Sequence, residues 1–359
     1  MQRRFRTRDV LYRRDGKLRL PGTAAHLWPF SRALVATLDL VGIADELSAD
    51  IDADAAVAAS LRALERYWDP SGDPPAYSSD VRGARLGGDR YYDDNAWVGL
   101  ALVQLERMRP GSGYLDRAEE LFRFAAGSGW DRRAVPNPGG VFWVEQGRGA
   151  GTVNHDRNTV SNAPNAELGL HLAELRDRRP TAPESIVAEE MYEWVLATLD
   201  ASRESDPPGT GLFWDKLRGD GTLDKTLWSY NQGSMIGANV LLARRGGDSR
   251  AEYLGRAEAI ARKALAHFGR DGYERQPAAF NAIYFRNLLL LHAATGDAAL
   301  RAEILETLRR YTDHAWYETR DRRHLFHFSD GGVTLLNQSA MVQLLALLAW
   351  DPGAYGRLA

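Results

Sequence analysis

The strongest constraint on the fold is the alternation of two kinds of helix along almost the whole chain. One kind is apolar on most sides and rich in small residues, in segments 96–105, 165–175, 233–243, 278–294 and 339–350. A helix that is apolar all round must be buried all round. The other kind carries charge on one face, in segments 55–68, 114–127, 185–199, 251–268 and 299–312. Such amphipathic helices suit an outer layer that has one face in water.

The buried helices also share an asparagine close to their starts, and these residues recur at intervals of about 50 to 70 positions. They are Asn95, Asn165, Asn231, Asn281 and Asn337. With residues 26–41 as a first buried helix, the repeat predicts six helical hairpins. Closed into a ring, six hairpins form an (α/α)6 barrel. We therefore predict an all-α, single-domain protein over 1–359, with its core at about 24–350. An open solenoid is the alternative, but its end repeats need polar caps, and the last helix is among the most apolar.

Composition narrows the functional class. A chain of 359 residues with 44% hydrophobic and 26% charged residues is typical of a globular protein with a substantial core. The net charge of −3 and the scattered arginines argue against nucleic-acid binding. The absence of cysteine excludes disulfides and thiolate metal sites. No apolar run is long enough for a membrane helix, and the basic N-terminus lacks the apolar stretch of a signal peptide. The sequence thus predicts a cytoplasmic protein without membrane insertion, and it leaves the oligomeric state open.

The segment YYDD places two adjacent carboxylates, Asp93 and Asp94, at the start of a buried helix. One interpretation is that they cap free backbone N–H groups. The other is glycoside hydrolysis, which needs a pair of carboxyl groups. Adjacent residues lie ~3.8 Å apart at Cα and diverge by about 100° on a helix. This spacing favours the carboxyl separation of roughly 5 Å found in retaining enzymes over the ~6.5–9.5 Å of inverting ones. The neighbouring tyrosines and asparagines favour a sugar site.

Several segments, in order, resemble glycoside hydrolase family 76, the α-1,6-mannanases. YYDDNAWVGLALV (91–103) resembles the aspartate-pair segment of that family. GGVFWVE (139–145), RNTVSNAPNAELGLHLAEL (157–175) and WSYNQGSMIGANVLL (228–242) resemble three further segments, and FNAIYFRNLLLL (280–291) resembles the next repeat more loosely. The similarity extends over roughly residues 24 to 350.

The resemblance implies an (α/α)6 barrel that hydrolyses α-1,6-linked mannan or manno-oligosaccharides with retention. It implies Asp93 as nucleophile and Asp94 as acid/base, with no cofactor and no metal. For substrate binding we predict Tyr92, Asn95, Trp143, Asn162, Tyr230, Asn231 and Gln232, with helix capping and loop packing as competing roles. The carboxylates Asp215, Asp220 and Asp224 lie in a turn-rich loop whose spacing does not match an EF-hand, so we predict no metal there.

Two other functions remain as alternatives. A sugar 2-epimerase or an unsaturated-uronyl hydrolase of the same architecture would need histidines at inner-helix ends or a basic cluster, and neither is evident. A non-catalytic glycan-binding protein would gain nothing from two carboxylates that repel each other. Because members of the family commonly act on external polymers, a cytoplasmic member is expected to meet short imported or internally made mannosides.

Overall fold

A computed structural model describes residues 2–7, 10–15, 24–44, 52–82, 87–133, 138–149, 151–203, 211–328 and 332–359. The helices in this part of the chain are α1 (Gln2–Phe5), α2 (Leu27–Val41), α3 (Ala53–Leu64), α4 (Tyr92–Met108), α5 (Leu115–Phe124), α6 (Thr159–Leu175), α7 (Pro183–Leu199), α8 (Ser229–Arg244), α9 (Arg250–Phe268), α10 (Ala278–Ala294), α11 (Ala298–His314) and α12 (Leu335–Ala349). Single turns of 3-10 helix lie at Glu65–Tyr67, Val153–His155, Ala201–Arg203 and Tyr273–Arg275, with a longer one at Pro352–Arg357. Short π-helical turns extend α5 at Ala125–Gly129 and α11 at Ala315–Thr319.

The even-numbered helices α2 to α12 form a closed ring. Each packs against the next along the chain, and α12 packs back against α2. In that last contact the side-chain amide of Gln343 donates to the backbone carbonyl of Arg32. The closed ring confirms the predicted (α/α)6 barrel and rules out the open solenoid.

The two kinds of helix occupy the two predicted layers. In α8 every residue from Ser229 to Ala243 is buried, as expected for a helix without a polar face. In α9, which packs on its outside, burial is confined to one stripe that includes Ile260 and Leu265. The odd-numbered helices α3 to α11 thus shield the inner ring from water. The sixth outer element is short: it is the 3-10 helix Pro352–Arg357, which follows α12 and packs on α10.

Short β-strands pair with one another in the segments that precede the inner helices. Strands β1 (Trp68–Asp69) and β2 (Ala76–Tyr77) form an antiparallel pair. Strands β3 (Arg157–Asn158), β4 (Lys216–Leu217) and β5 (Leu223–Asp224) form an antiparallel sheet in that order. The described parts of the Pro/Gly-rich segments 69–80, 133–143 and 205–215 lie beside these strands; residues 134–137 and 204–210 are outside the described part. No described helix is long and apolar enough to cross a membrane.

Candidate active site

The first turns of all six inner helices meet at one cavity of about 850 Å³. Residues from these turns or just before them line it, namely Trp28, Asp93, Asp94, Asn158, Val160, Tyr230, Phe280, Leu336 and Asn337. Parallel inner helices direct their N-terminal ends, with free N–H groups and positive dipole ends, toward this side of the ring. The asparagine-bearing helix starts therefore open onto one face, as the repeat predicts.

Asp93 and Asp94 are the second and third residues of α4, so they stand at its positive end. The backbone N–H of Tyr92, the first residue, donates to the carbonyl of Trp143 at 3.1 Å, which draws the 138–149 loop to the pair. N–H groups of the Asp93 and Asp94 backbone and of the Trp143 indole stabilise the ionised Asp93 carboxyl. Capping of the free N–H groups at the start of α4 is therefore one reason for an aspartate at position 93. It does not explain Asp94, for which the described residues supply no hydrogen-bond donor.

The two carboxyl groups differ in how readily they ionise. Burial raises the pKa of Asp93 to about 7, and the nearby N–H donors oppose that shift. Burial and then the negative charge of Asp93 raise the pKa of Asp94 well above its ordinary value, with Arg32 as the opposing charge. Like charges in a buried pair titrate as a unit, and the second proton is the harder to remove. Asp93 is therefore the first of the pair to become an anion.

A third carboxyl group, Asp215, lies in the same cavity and acts electrostatically on Asp93. Burial raises its pKa to about 6, opposed by a hydrogen bond from the Asn231 side chain at 3.3 Å and by the charge of Lys216. Asp215 directly precedes β4, whose pairing with β3 brings it beside the start of α6. The sequence pattern placed Asp215 only in a loop, so this contribution to the site was missed.

Aromatic side chains form much of the rest of the wall. Tyr230 stacks on Phe280 with ring centroids 3.8 Å apart and planes 6° from parallel. Trp28 packs against the same Phe280 ring at 6.0 Å, and Trp97 and Trp143 line the floor and side. The Trp28 Nε1 and the Asn158 Oδ1 have no hydrogen-bond partner among the described residues. A concave site with apolar faces and a few unpaired polar atoms suits a sugar ring.

Of the predicted binding residues, Trp143 and Tyr230 line the cavity, and Asn231 reaches it through Asp215. Tyr92 is buried instead: its ring stacks on Phe124 at 4.4 Å. The amides of Asn95, Asn162 and Gln232 are also buried and pair with loop backbone rather than facing the cavity. For these four residues we propose a role in positioning the site.

The buried amides belong to a repeat that the asparagine spacing identified only in part. Each is the fourth residue of an inner helix, and its side chain accepts from the N–H and donates to the C=O of one residue in the segment that precedes the helix. The pairs are Asn95 with Tyr77, Asn162 with Val141, Gln232 with Phe213, and Gln338 with Phe326. At the same position of α10, Asn281 donates to the Tyr273 carbonyl. The repeating position is thus filled by either Asn or Gln, while Asn165, Asn231 and Asn337 lie at other positions in their helices.

We expect Asn162→Ala to destabilise the fold by about 3 kcal/mol, because it leaves a buried N–H and a buried C=O of Val141 without partners. Urea unfolding at neutral pH measures the change. Asn154→Ala is the matched control, since that amide makes one part-buried bond to the Gln146 carbonyl, and it should cost about 1 kcal/mol or less. Equal losses of unfolding free energy in the two variants would contradict the inference that the Asn162 amide holds the Val141 backbone in place.

Comparison with known proteins identifies the family. The sequence profile of glycosyl hydrolase family 76 matches residues 74–348. The chain belongs to glycosyl hydrolase family 76. This membership confirms the family resemblance. No protein with a curated description matches the chain.

Solved structures of family 76 proteins share the fold. A family 76 glycoside hydrolase from a bovine Bacteroides thetaiotaomicron strain superposes with a TM-score of 0.80 at 21% identity, covering 97% of this chain and 75% of the other. A family 76 mannosidase from Bacteroides thetaiotaomicron VPI-5482 gives 0.79 at 23% identity, covering 97% and 94%. The α-1,6-mannanase of Salegentibacter sp. HEL1_6 gives 0.74 at 20% identity, covering 97% and 95%. At these identities the likeness establishes the (α/α)6 fold.

The described residues contain no group of three His, Cys, Asp or Glu side chains placed to hold a metal ion. Asp220 and Asp224 lie outside the cavity lining, where their carboxyls accept hydrogen bonds from Thr222 and Thr226. What the site offers is a pair of adjacent carboxyl groups of unequal acidity, a third carboxyl group, and aromatic walls. These groups suit acid–base and nucleophilic chemistry on a neutral polyhydroxy substrate.

Proposed function

We propose that this family 76 protein hydrolyses α-1,6-linked mannosides with retention of anomeric configuration. The observation that carries the proposal is the unequal environment of two adjacent carboxyl groups in one aromatic-walled cavity. A pair whose surroundings push the pKa values apart supplies one anion and one acid at the same pH. The choice of sugar is supported by a related protein. An inactive variant of the Salegentibacter α-1,6-mannanase, with two consecutive aspartates changed to asparagine, is in complex with α-1,6-mannotriose.

In the first step an Asp93 carboxylate oxygen attacks the anomeric carbon. The bond between that carbon and the glycosidic oxygen breaks, and the leaving oxygen takes the proton held by Asp94. Asp93 suits the nucleophile because helix N–H groups and the Trp143 indole stabilise its ionised form. Asp94 suits the acid because burial and the charge of Asp93 keep it protonated. The product is a mannosyl ester of Asp93 and a free leaving group.

In the second step Asp94, now an anion, takes a proton from water. The water oxygen attacks the anomeric carbon, the ester bond to Asp93 breaks, and both carboxyl groups return to their starting states. Two displacements at one carbon restore the original configuration. Asp215 can accept hydrogen bonds from sugar hydroxyls on the same side of the cavity, since its carboxyl lies near enough to Asp93 to act on its charge.

We expect the protein to release new reducing ends from linear α-1,6-mannan, and the first-formed reducing sugar to be the α-anomer. Reducing-sugar assay and time-resolved proton NMR measure the two results, and linear β-1,4-mannan serves as the control polymer. First formation of the β-anomer would refute retention. Binding of α-1,6-mannotriose without any cleavage would instead indicate a glycan-binding protein of this fold.

A further inference from the structure

A cluster of charged side chains is buried inside the ring, beneath the floor of the catalytic cavity. Arg32 and Asp39 come from α2, Glu167 from α6 and Arg286 from α10, and each is at most 5% exposed. The guanidinium of Arg286 forms an ion pair with Asp39. Burial raises the pKa of Glu167 well above its ordinary value, which favours its neutral form. Arg32 is therefore the member whose positive charge is not matched locally.

Arg32 lies directly beneath Trp97, which lines the floor of the catalytic cavity. Its guanidinium sits 5.0 Å from the centroid of the Trp97 ring and donates to the Trp97 carbonyl at 3.5 Å. Trp97 lines the catalytic cavity on one side and, with Arg32, a small internal cavity on the other. Trp97 is three residues after Asp94, so the two side chains share a face of α4. One aromatic ring thus separates the positive charge of Arg32 from the catalytic pair.

Arg32 forms no ion pair with a carboxylate among the described residues, and its Nε has no hydrogen-bond partner there. Burial and the charge of Arg286 lower the pKa of Arg32 to about 9, while Asp39 and Asp94 act in the opposite sense. Burying a cation without a contacting counter-ion is costly. A role in catalysis would explain why the charge lies at this position.

We propose that Arg32 is a positioning residue for the second displacement, where its charge holds Asp94 as the anion that activates water. The inference rests on the proposed function. Before reaction, the charge of Asp93 opposes ionisation of Asp94. Once Asp93 is a mannosyl ester its charge is gone, and Arg32 acts on Asp94 without that opposition. The charge of Arg32 favours the ionised form of Asp94, and charges interact strongly where little water screens them.

The consequence is an asymmetry between the two steps. Removing the positive charge makes Asp94 harder to ionise, which slows the step that needs a base. It leaves Asp94 protonated for the step that needs an acid. Arg32→Met should therefore lower kcat and KM together, by roughly tenfold, with kcat/KM nearly unchanged, because mannosyl-enzyme accumulates.

The experiment uses an aryl α-mannoside with a good leaving group, so that the first step is fast. For Arg32→Met we expect a burst of aryl alcohol equal to the enzyme concentration, followed by slow turnover that azide accelerates by forming mannosyl azide. The pH at which kcat rises should move upward, since losing a positive charge raises the pKa of Asp94. Arg32→Lys, which keeps the charge, should behave like wild type. Arg107→Met is the matched control, because it removes a largely buried arginine from the far end of α4, where it pairs with Glu174.

The outcomes separate the competing explanations. A fall in kcat/KM equal to the fall in kcat, without burst or azide effect, would show that Arg32 only supports the fold. An Arg32→Lys enzyme whose second step is about tenfold slower than that of wild type would overturn the role of charge, and this test does not need a stable Arg32→Met protein. If wild type neither cleaves α-1,6-mannan nor releases the aryl alcohol, the proposed function fails independently of any Arg32 variant.

Discussion

Replacing Asp93 with alanine is expected to abolish turnover, both on α-1,6-mannan and on an aryl α-mannoside with a good leaving group. Without the Asp93 carboxylate no mannosyl ester forms, and activation of the leaving group does not replace a missing nucleophile. Loss of a nucleophile typically costs at least about 10⁴-fold in kcat. Steady-state release of aryl alcohol and of reducing ends measures the loss.

The stability of the Asp93→Ala protein distinguishes loss of chemistry from loss of fold. Burial raises the pKa of Asp93 to about 7 in the folded state, so the unfolded chain releases this proton at lower pH than the folded one. Folding stability is therefore lost as pH rises from about 4 to 7, and removing the carboxyl should stabilise the protein at neutral pH. Asp220→Asn, an exposed loop carboxylate, is the control that should keep full activity. An active Asp93→Ala enzyme would mean that the aspartate pair only caps α4.

Replacing Asp94 with alanine should divide the substrates into two classes. Turnover of mannan should fall by about 10²–10⁴-fold, the usual contribution of a general acid. The aryl α-mannoside needs no protonation, so its first displacement should persist and give a burst of aryl alcohol. Azide should then accelerate turnover, because it attacks the mannosyl ester without a base, and the product should be the α-mannosyl azide. Equal inactivity of the Asp94→Ala and Asp93→Ala enzymes, with or without azide, would contradict this assignment of roles.

The pH dependence of the same variants tests the order of ionisation. In wild type, kcat/KM should rise with pH through about 7 as Asp93 ionises, and fall at higher pH as Asp94 loses the proton that it must donate. In Asp94→Ala acting on the aryl substrate, the alkaline fall should disappear. The acidic limb should stay near pH 7, because Asp93 ionises while Asp94 is still protonated and uncharged, and burial is the main cause of its raised pKa. Persistence of the alkaline fall would assign it to another group.

The layering of the helices was predictable because it depends on local pattern. Segments such as 233–243 and 251–268 differ in whether polar residues occupy one face, and that difference decides burial within a few turns. The closure of the ring is a long-range property. It depends on α12 meeting α2, as in the hydrogen bond from Gln343 to Arg32, and the sequence supported it only through the number of repeats and the apolar character of the last helix.

The amide repeat shows where local pattern was insufficient. One residue along a helix turns a side chain by about 100°, so adjacent amides in one segment serve different purposes. Asn231 donates to Asp215 in the cavity, whereas Gln232 pairs with the backbone of Phe213. Both residues look like polar members of the YNQG segment. Only the position of the preceding loop tells them apart.

The sequence by itself determined the family, the helical layers and the adjacency of Asp93 and Asp94, because these follow from residues that are neighbours in the chain. The tertiary structure decided how the two carboxyl groups differ. Trp143, Asp215 and Arg32 come from three separate segments of the chain. The Trp143 N–H and the charge of Asp215 act on Asp93, and the charge of Arg32 acts on Asp94. Electrostatic interactions are strong among buried groups because little water screens them. A charge distant in sequence thus influences which aspartate ionises first, and no local pattern reports it.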